Sequence, residues 1–169
     1  MNARRRKTAI ARIALSGATV LGIVVVAPLA SFAPTNASAK GTRLVKTACC
    51  SAKVPAFLKF TVDGDIAEAE NGGLSVAFGR RISDDPLDLI DGEIDTIGGG
   101  YASYKAKGTR WMVKSGTLYG DETIFYIRAA FDPACQGMGL LTMQYPVSKK
   151  AQFSAAVSAI SKSFSAVTC

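Results

Sequence analysis

The hydrophobic period changes twice along this chain, and the order of those changes limits the folds open to it. From Leu74 to Ile82 the pattern is period two, with Leu74, Val76 and Phe78 on one side, as in a strand with one face on a core. Asn71-Gly72-Gly73 just before is a strong hairpin-turn signal that pairs this run with Ile66 to Glu70. The period then lengthens: Leu87, Ile90, Ile94 and Ile97 fall on one side of a helix. Asp84 or Asp85 can cap its orphan amides, Pro86 suits its first position, and Gly98-Gly99-Gly100 ends it. Strand patterns return in Tyr101 to Lys107, Trp111 to Leu118, Glu122 to Phe131 and Leu140 to Tyr145, separated by Gly108-Thr109, Gly120-Asp121 and the stretch from Asp132 to Gly139. Past Pro146, with Ser148 as N-cap, Phe153, Val157, Ile160 and Phe164 trace the apolar stripe of a longer helix.

Upstream, Phe57 to Val62 reads as a further strand ended by Asp63-Gly64, after a short lead containing Cys49-Cys50. Strands, helix, strands, helix predict an α+β domain: an antiparallel β-sheet covered by a short central helix and a long C-terminal helix. An antiparallel meander is the economical arrangement of the last four strands. Within it, Glu122 to Phe131 is apolar on both faces, which predicts a central position.

The first 39 residues are of a different kind. Arg4, Arg5, Arg6, Lys7 and Arg12 precede any acid, an apolar run follows from Ile13 to Ala30, and Ala37-Ser38-Ala39 offers the small-x-small pattern a signal peptidase accepts. Residues 1–39 are therefore read as a signal peptide and 40–169 as one mature domain, periplasmic or secreted. A retained anchor is the competing reading, because the apolar run approaches the roughly 17 to 25 residues that span a bilayer. A twin-arginine signal lacks the usual preceding Ser or Thr. Removing the leader takes five of the twenty Lys and Arg and none of the thirteen acids, leaving a net charge of +2. The basicity that would have pointed to nucleic acid thus belongs to the leader, and no nucleic-acid partner is expected. Membrane contact is expected only through the export signal.

All four cysteines, Cys49, Cys50, Cys135 and Cys169, fall in the expected exported part, where an oxidising compartment favours disulfides over free thiols. Bonding adjacent Cys49 to Cys50 closes a strained eight-membered ring, so each is expected to reach one of Cys135 and Cys169. Loop closure gives each such bridge a contribution on the order of 4 kcal/mol.

The C-terminal half carries a pattern that resembles a known family. The stretch W-M-V-K-S-G-T-L-Y-G-D-E-T-I-F-Y from Trp111 to Tyr126, then M-Q-Y-P at Met143 to Pro146 leading into the Phe153 to Phe164 helix, resembles the PsbP-like family. That family includes photosystem extrinsic subunits, the Ran-binding Mog protein and exported bacterial proteins. The resemblance covers roughly Tyr101 to Ser165 and implies an antiparallel sheet between helices and a protein- or lipid-binding role. It carries over no functional residue, and Cys49 and Cys50 fall outside its pattern.

The chain has no histidine, which removes Ser-His-Asp and Cys-His catalysis, the usual general base near neutral pH and the commonest zinc ligand. Lys114-Ser115-Gly116 resembles the K-[ST]-G of penicillin-recognising enzymes, but no lysine has the serine three residues earlier that such chemistry requires. Lys114 and Ser115 are read instead as a solvent-facing strand pair. Asp84, Asp88, Asp91 and Asp95 form an acidic stripe opposite the apolar helix face. They diverge from a convex surface rather than converge on calcium, so a solvated face or a docking surface for a basic partner is expected. Asp63, Asp65, Glu68 and Glu70 are close in sequence, but a hairpin does not make them flank a cleft as glycoside chemistry demands. The glycine triplet follows a helix and cannot cradle phosphate at a helix N-terminus.

The aromatic residues Tyr101, Tyr104, Trp111 and Tyr119 are the candidates for a partner or ligand surface, Tyr119 in a turn being the best exposed; Trp111 and Tyr126 are also candidates for the core. The sequence thus describes a non-enzymatic, exported binding or protein-interaction module of the bacterial envelope, with no cofactor and no metal. Its partner would be an unidentified envelope protein or lipid. A carrier for a lipid or small hydrophobic ligand is the alternative, motivated by the doubly apolar strand, and it predicts an internal pocket. A hydrolase of unusual mechanism ranks last.

Overall fold

A computed structural model describes residues 41–120, 122–132 and 137–166. The expected leader, Asp121, Cys135 and Cys169 lie outside them.

The described chain opens with a hairpin that the sequence reading passed over. β1 (Thr42–Lys46) and β2 (Cys50–Pro55) pair antiparallel, and the Thr47 hydroxyl accepts from the backbone amides of Cys49 and Cys50 to hold the turn. The expected strand at Phe57 to Val62 shrinks to β3 (Thr61–Asp63). Its apolar residues do not alternate on a sheet face: Leu58 is buried in the core, and Phe60 packs on Phe78 with ring centroids 5.6 Å apart. Here apolar content signalled packing of an irregular segment, not strand pairing.

From there the structure follows the period changes. β4 (Ile66–Asn71) and β5 (Leu74–Arg81) form the expected hairpin, joined by Gly72 and Gly73 at φ +60° and +90°. Two successive positive φ values are what a two-residue turn matched to strand twist requires, and glycine adopts them without steric cost. Leu74, Val76 and Phe78 are buried. α1 (Pro86–Thr96) starts where expected: the Asp85 carboxylate accepts from the Leu87 amide at 2.7 Å, and Pro86 occupies the first turn. The meander follows as β6 (Gly100–Lys107), β7 (Trp111–Leu118), β8 (Thr123–Phe131) and β9 (Met138–Pro146). α2 (Lys150–Ser163) ends the core, with β10 (Ser165–Ala166) after it.

Ser148 does not cap α2. It lies within a 3₁₀ turn, Val147–Lys149, that leads into the helix, and the helix start makes no side-chain cap bond. The Lys149 ammonium instead donates to the Gly72 carbonyl at 2.6 Å, tying this turn to the β4–β5 hairpin.

The main sheet has the order β3-β4-β5-β9-β8-β7-β6, and every pairing is antiparallel. A separate three-stranded sheet has the order β1-β2-β10. α1 packs on one face of the main sheet, where Ile90 and Ile94 meet Phe125, Ile127, Ala129 and Leu140. On the other face α2 rests mainly on β2 and β9, and its Phe153, Val157 and Ile160 join Val54, Leu58, Val76, Leu141 and Met143 in the larger core. The fold is thus α+β, with a short central helix and a C-terminal helix on an antiparallel sheet, as expected. β8 is interior, and its apolar residues on both faces are explained by α1 over Phe125, Ile127 and Ala129 on one side and by the larger core, which takes Ile124 and Ala130, on the other.

Candidate functional site

Register places the site's side chains in rows across the sheet. Tyr104 stands opposite Ser115, Ser115 opposite Tyr126, and Tyr126 opposite Met143; the next row runs Ala106, Val113, Arg128, Leu141. Trp111, opposite Ala130, follows on the same face. Because α2 sits toward β9 and β2, this face of β6, β7 and β8 is left open beside it. The result is a cleft of about 580 Å³ between the sheet and the C-terminal half of α2. Tyr104, Trp111, Tyr126 and Arg128 line its sheet side, and Ser158, Ser161 and Lys162 its helix side.

Arg128 is the hinge of this arrangement. Its guanidinium lies over the Trp111 ring, 5.0 Å from the centroid, a cation–π geometry. Its Nη1 donates to the Ser161 carbonyl oxygen in the last turn of α2, which otherwise accepts only a long bond from the Phe164 amide at 3.3 Å, and there a cation meets the negative end of the helix dipole. Beside it the Tyr126 hydroxyl and Ser161 Oγ are 2.7 Å apart. The Nε of Arg128 is shielded from solvent and has no hydrogen-bond partner. Burial lowers the Arg128 pKa, with Tyr126 acting in the opposite direction, but a guanidinium stays charged in proteins. Tyr145, at the floor of the cleft, is pushed above the ordinary phenol range by burial and then by Tyr126, so it is a neutral hydroxyl at physiological pH.

The four aromatic candidates divide between two places. Tyr104, half exposed, and Trp111 stand together in the cleft. Tyr101 and Tyr119, both exposed, meet each other edge to face with centroids 5.1 Å apart, beside the glycines that end α1. Tyr119 is exposed, in keeping with its turn position, but it is not the best exposed of the four: Tyr101 is 69% exposed and Tyr119 63%. Reading for aromatics missed Arg128, Ser161 and Lys162. Arg128 did carry a signal: it is the lone charge on an otherwise apolar strand, and a cation in such a row has either a partner to reach or a ligand to hold.

Lys114 corrects the solvent-face reading. It is 6% exposed, beneath α1, and its ammonium donates to the Asp91 carboxylate. Ser115, on the opposite face, donates to the Phe125 carbonyl at 2.7 Å. Asp91, a member of the acidic stripe, therefore helps to fasten α1, and Glu93, outside the stripe, does the same by accepting from the Thr142 hydroxyl at 2.9 Å. Asp84, Asp88 and Asp95 are exposed, and so are Asp63, Glu68 and Glu70 on the β3–β4 hairpin. Among the described residues no cluster of three or more His, Cys, Asp or Glu is placed to hold a metal.

The cysteines differ from expectation. The Sγ atoms of Cys49 and Cys50 lie in contact with each other at the β1–β2 turn. This turn folds both residues over the Thr47 hydroxyl, which brings adjacent thiols together where the sequence reading expected them to diverge. Cys50 is fully buried, its Sγ pressed so close to Gly139 that a Cβ there would sit 2.8 Å away. Cys135 and Cys169, the expected partners, lie outside the described residues.

No family model and no curated protein matches this sequence. Similar solved structures do exist. The Ran-binding protein Mog1p of Saccharomyces cerevisiae superposes with a TM-score of 0.55 at 7% identity, over 73% of this chain and 94% of its own. A point mutant of Mog1 gives 0.54 at 7% identity, over 73% and 95%. LpqN of Mycobacterium tuberculosis, involved in cell envelope biogenesis, gives 0.44 at 12% identity, over 76% and 91%. The Mog1 likeness extends through most of the described chain and bears out, at the level of fold, the resemblance read from Trp111 to Tyr126 and the C-terminal helix. Among the described residues no helix is long and apolar enough to cross a membrane.

Proposed function

We propose that the mature chain is a non-catalytic binding module of the PsbP-like type, exported to the periplasm or cell exterior of a bacterium, that engages an envelope partner through the open face of β6 to β8. The observation that carries this reading is the cleft itself. A Trp, two Tyr and an Arg converge on one wall, a composition typical of residues that dominate binding energy at protein interfaces. The Arg128 guanidinium is already stacked and tied to Ser161, so little order is lost when a partner arrives.

The absence of histidine and the ordinary structural roles of Lys114 and Ser115 favour binding over hydrolysis. The lipid-carrier alternative drew its motive from the doubly apolar β8, and packing of one face against α1, with Ile124 and Ala130 of the other in the larger core, supplies a sufficient cause for that pattern. Mild affinity purification from the native envelope, with mass spectrometry of copurifying proteins and lipids, tests the reading. A stoichiometric protein partner that Tyr104→Ala releases from a folded domain is the expected result. Copurification of a specific lipid alone would overturn it in favour of the carrier.

A further inference from the structure

The charge lining the cleft identifies a class of occupant. Arg128 and Lys162 are the charged residues that line it, and among its described residues no carboxylate opposes them. Arg128 and Trp111 also line an adjoining hollow that holds Asp132, whose carboxylate lies 3.6 Å from Arg110. Tyr104, Tyr126 and Ser161 add hydroxyls to the same lining, those of Tyr126 and Ser161 bonded to each other. The Nη1 side of Arg128 is taken by the Ser161 carbonyl, whereas Nε has no partner. Nε is closed off from solvent, so a ligand in the cleft would meet the remaining edge of the guanidinium, and an oxyanion is the acceptor that gains most there, because charge-assisted bonds to guanidinium are the strong ones. The volume, about 580 Å³, falls within the range of small-molecule sites. Its lining interleaves polar groups with rings and so offers no continuous apolar channel for an acyl chain.

We propose that this cleft is a receptor for a small soluble organic anion, its carboxylate or phosphate held between Arg128 and Lys162 and its ring or short apolar body against Trp111 and Tyr104. The inference rests on the open face of β6 to β8 being the binding face and adds the chemistry of what it takes. Trp111 is the sole tryptophan of the chain, so intrinsic fluorescence reports on this cleft.

The test titrates the purified mature protein with benzoate, phenyl phosphate and, as the neutral analogue, benzyl alcohol, following Trp111 emission. Both anions are expected to saturate the change, with benzyl alcohol at least tenfold weaker and affinity falling as salt is raised from low to high. Lys162→Gln, on the exposed side of α2, is expected to weaken the anions several-fold with an unchanged melting temperature, and Arg128→Gln to weaken them more. Should Arg128→Gln fail to fold, Lys162→Gln decides. Equal affinity for benzyl alcohol overturns the proposal, as does binding only to phosphatidylglycerol vesicles, which would make the face a membrane site. If no soluble anion binds while Tyr104→Ala still releases the envelope partner, the anion site falls and the binding-module reading stands. If the anions bind as expected while no cleft variant affects partner capture, the anion site stands and that reading falls.

Discussion

Removing the Asp91 carboxylate is the perturbation whose cost follows most directly from the structure. The Lys114 side chain is 8% exposed and that of Asp91 56%, so one end of this ion pair is buried and the other is wet. Breaking a fully buried pair by deleting one partner costs about 3–5 kcal/mol, while an exposed pair contributes about 0–1 kcal/mol. With Asp91 open to solvent, water screens the pair and can reach the stranded ammonium. Asp91→Ala is therefore expected to destabilise by about 1–2 kcal/mol, or a fall of roughly 3–6 °C in melting temperature for a domain of this size. Lys114→Met removes the charge that needs a partner and keeps the aliphatic stem, so it is expected to change stability by less than about 1 kcal/mol. The double variant should match Lys114→Met alone, giving a coupling of about 1–2 kcal/mol in a urea-unfolding cycle. Additive single effects would refute the reasoning, because they would mean that Lys114 finds water as easily as it finds Asp91.

Three further expectations follow from the same contacts. Asp85→Ala removes the cap on the Leu87 amide and should cost about 1 kcal/mol by chemical denaturation, while Asp84→Ala should cost nothing measurable. Ile160→Ala empties a site of zero exposure in the larger core and should cost about 2–5 kcal/mol, enough to lower the denaturant midpoint visibly with an unchanged slope. Tyr145 has a folded pKa raised above its unfolded value, so the folded state holds that proton longer; the stability this contributes is complete below about pH 10 and is lost as pH rises through the folded value. In an alkaline melting series Tyr145→Phe should flatten the decline beyond that pH.

Elements governed by local signals were legible in the sequence, and those governed by distant partners were not. Asp85, Pro86 and the Leu87 to Ile97 spacing fixed α1 because capping and amphipathic period are written within one segment. Gly72 and Gly73 fixed the β4–β5 hairpin for the same reason. The β1–β2 hairpin was missed because Thr42 to Pro55 has neither a glycine turn nor a clean alternation; its turn rests on the Thr47 hydroxyl, and β2 is secured by α2 and β10 from the far end of the chain. Lys114 was misplaced because strand alternation says which residues share a face, not that a helix covers that face. The aromatic candidates were visible as residue types, but their division into Tyr104–Trp111 and Tyr101–Tyr119 depends on register and on the bulge between Ala102 and Tyr104. Arg128 and Lys162 line one cleft only because α2 folds back over this side of the sheet, which brings residues 34 positions apart in sequence to the same hollow.

Site-specific photo-cross-linking in the native envelope tests most directly the claim that the open face of β6 to β8 is the binding face. A benzophenone amino acid in place of Tyr104 is expected to give one discrete adduct that Trp111→Ala abolishes in a folded domain, while the same amino acid in place of Ile82, exposed and away from the cleft, gives none. Equal adducts from both positions, or none from position 104 while position 82 captures the partner, would contradict the account.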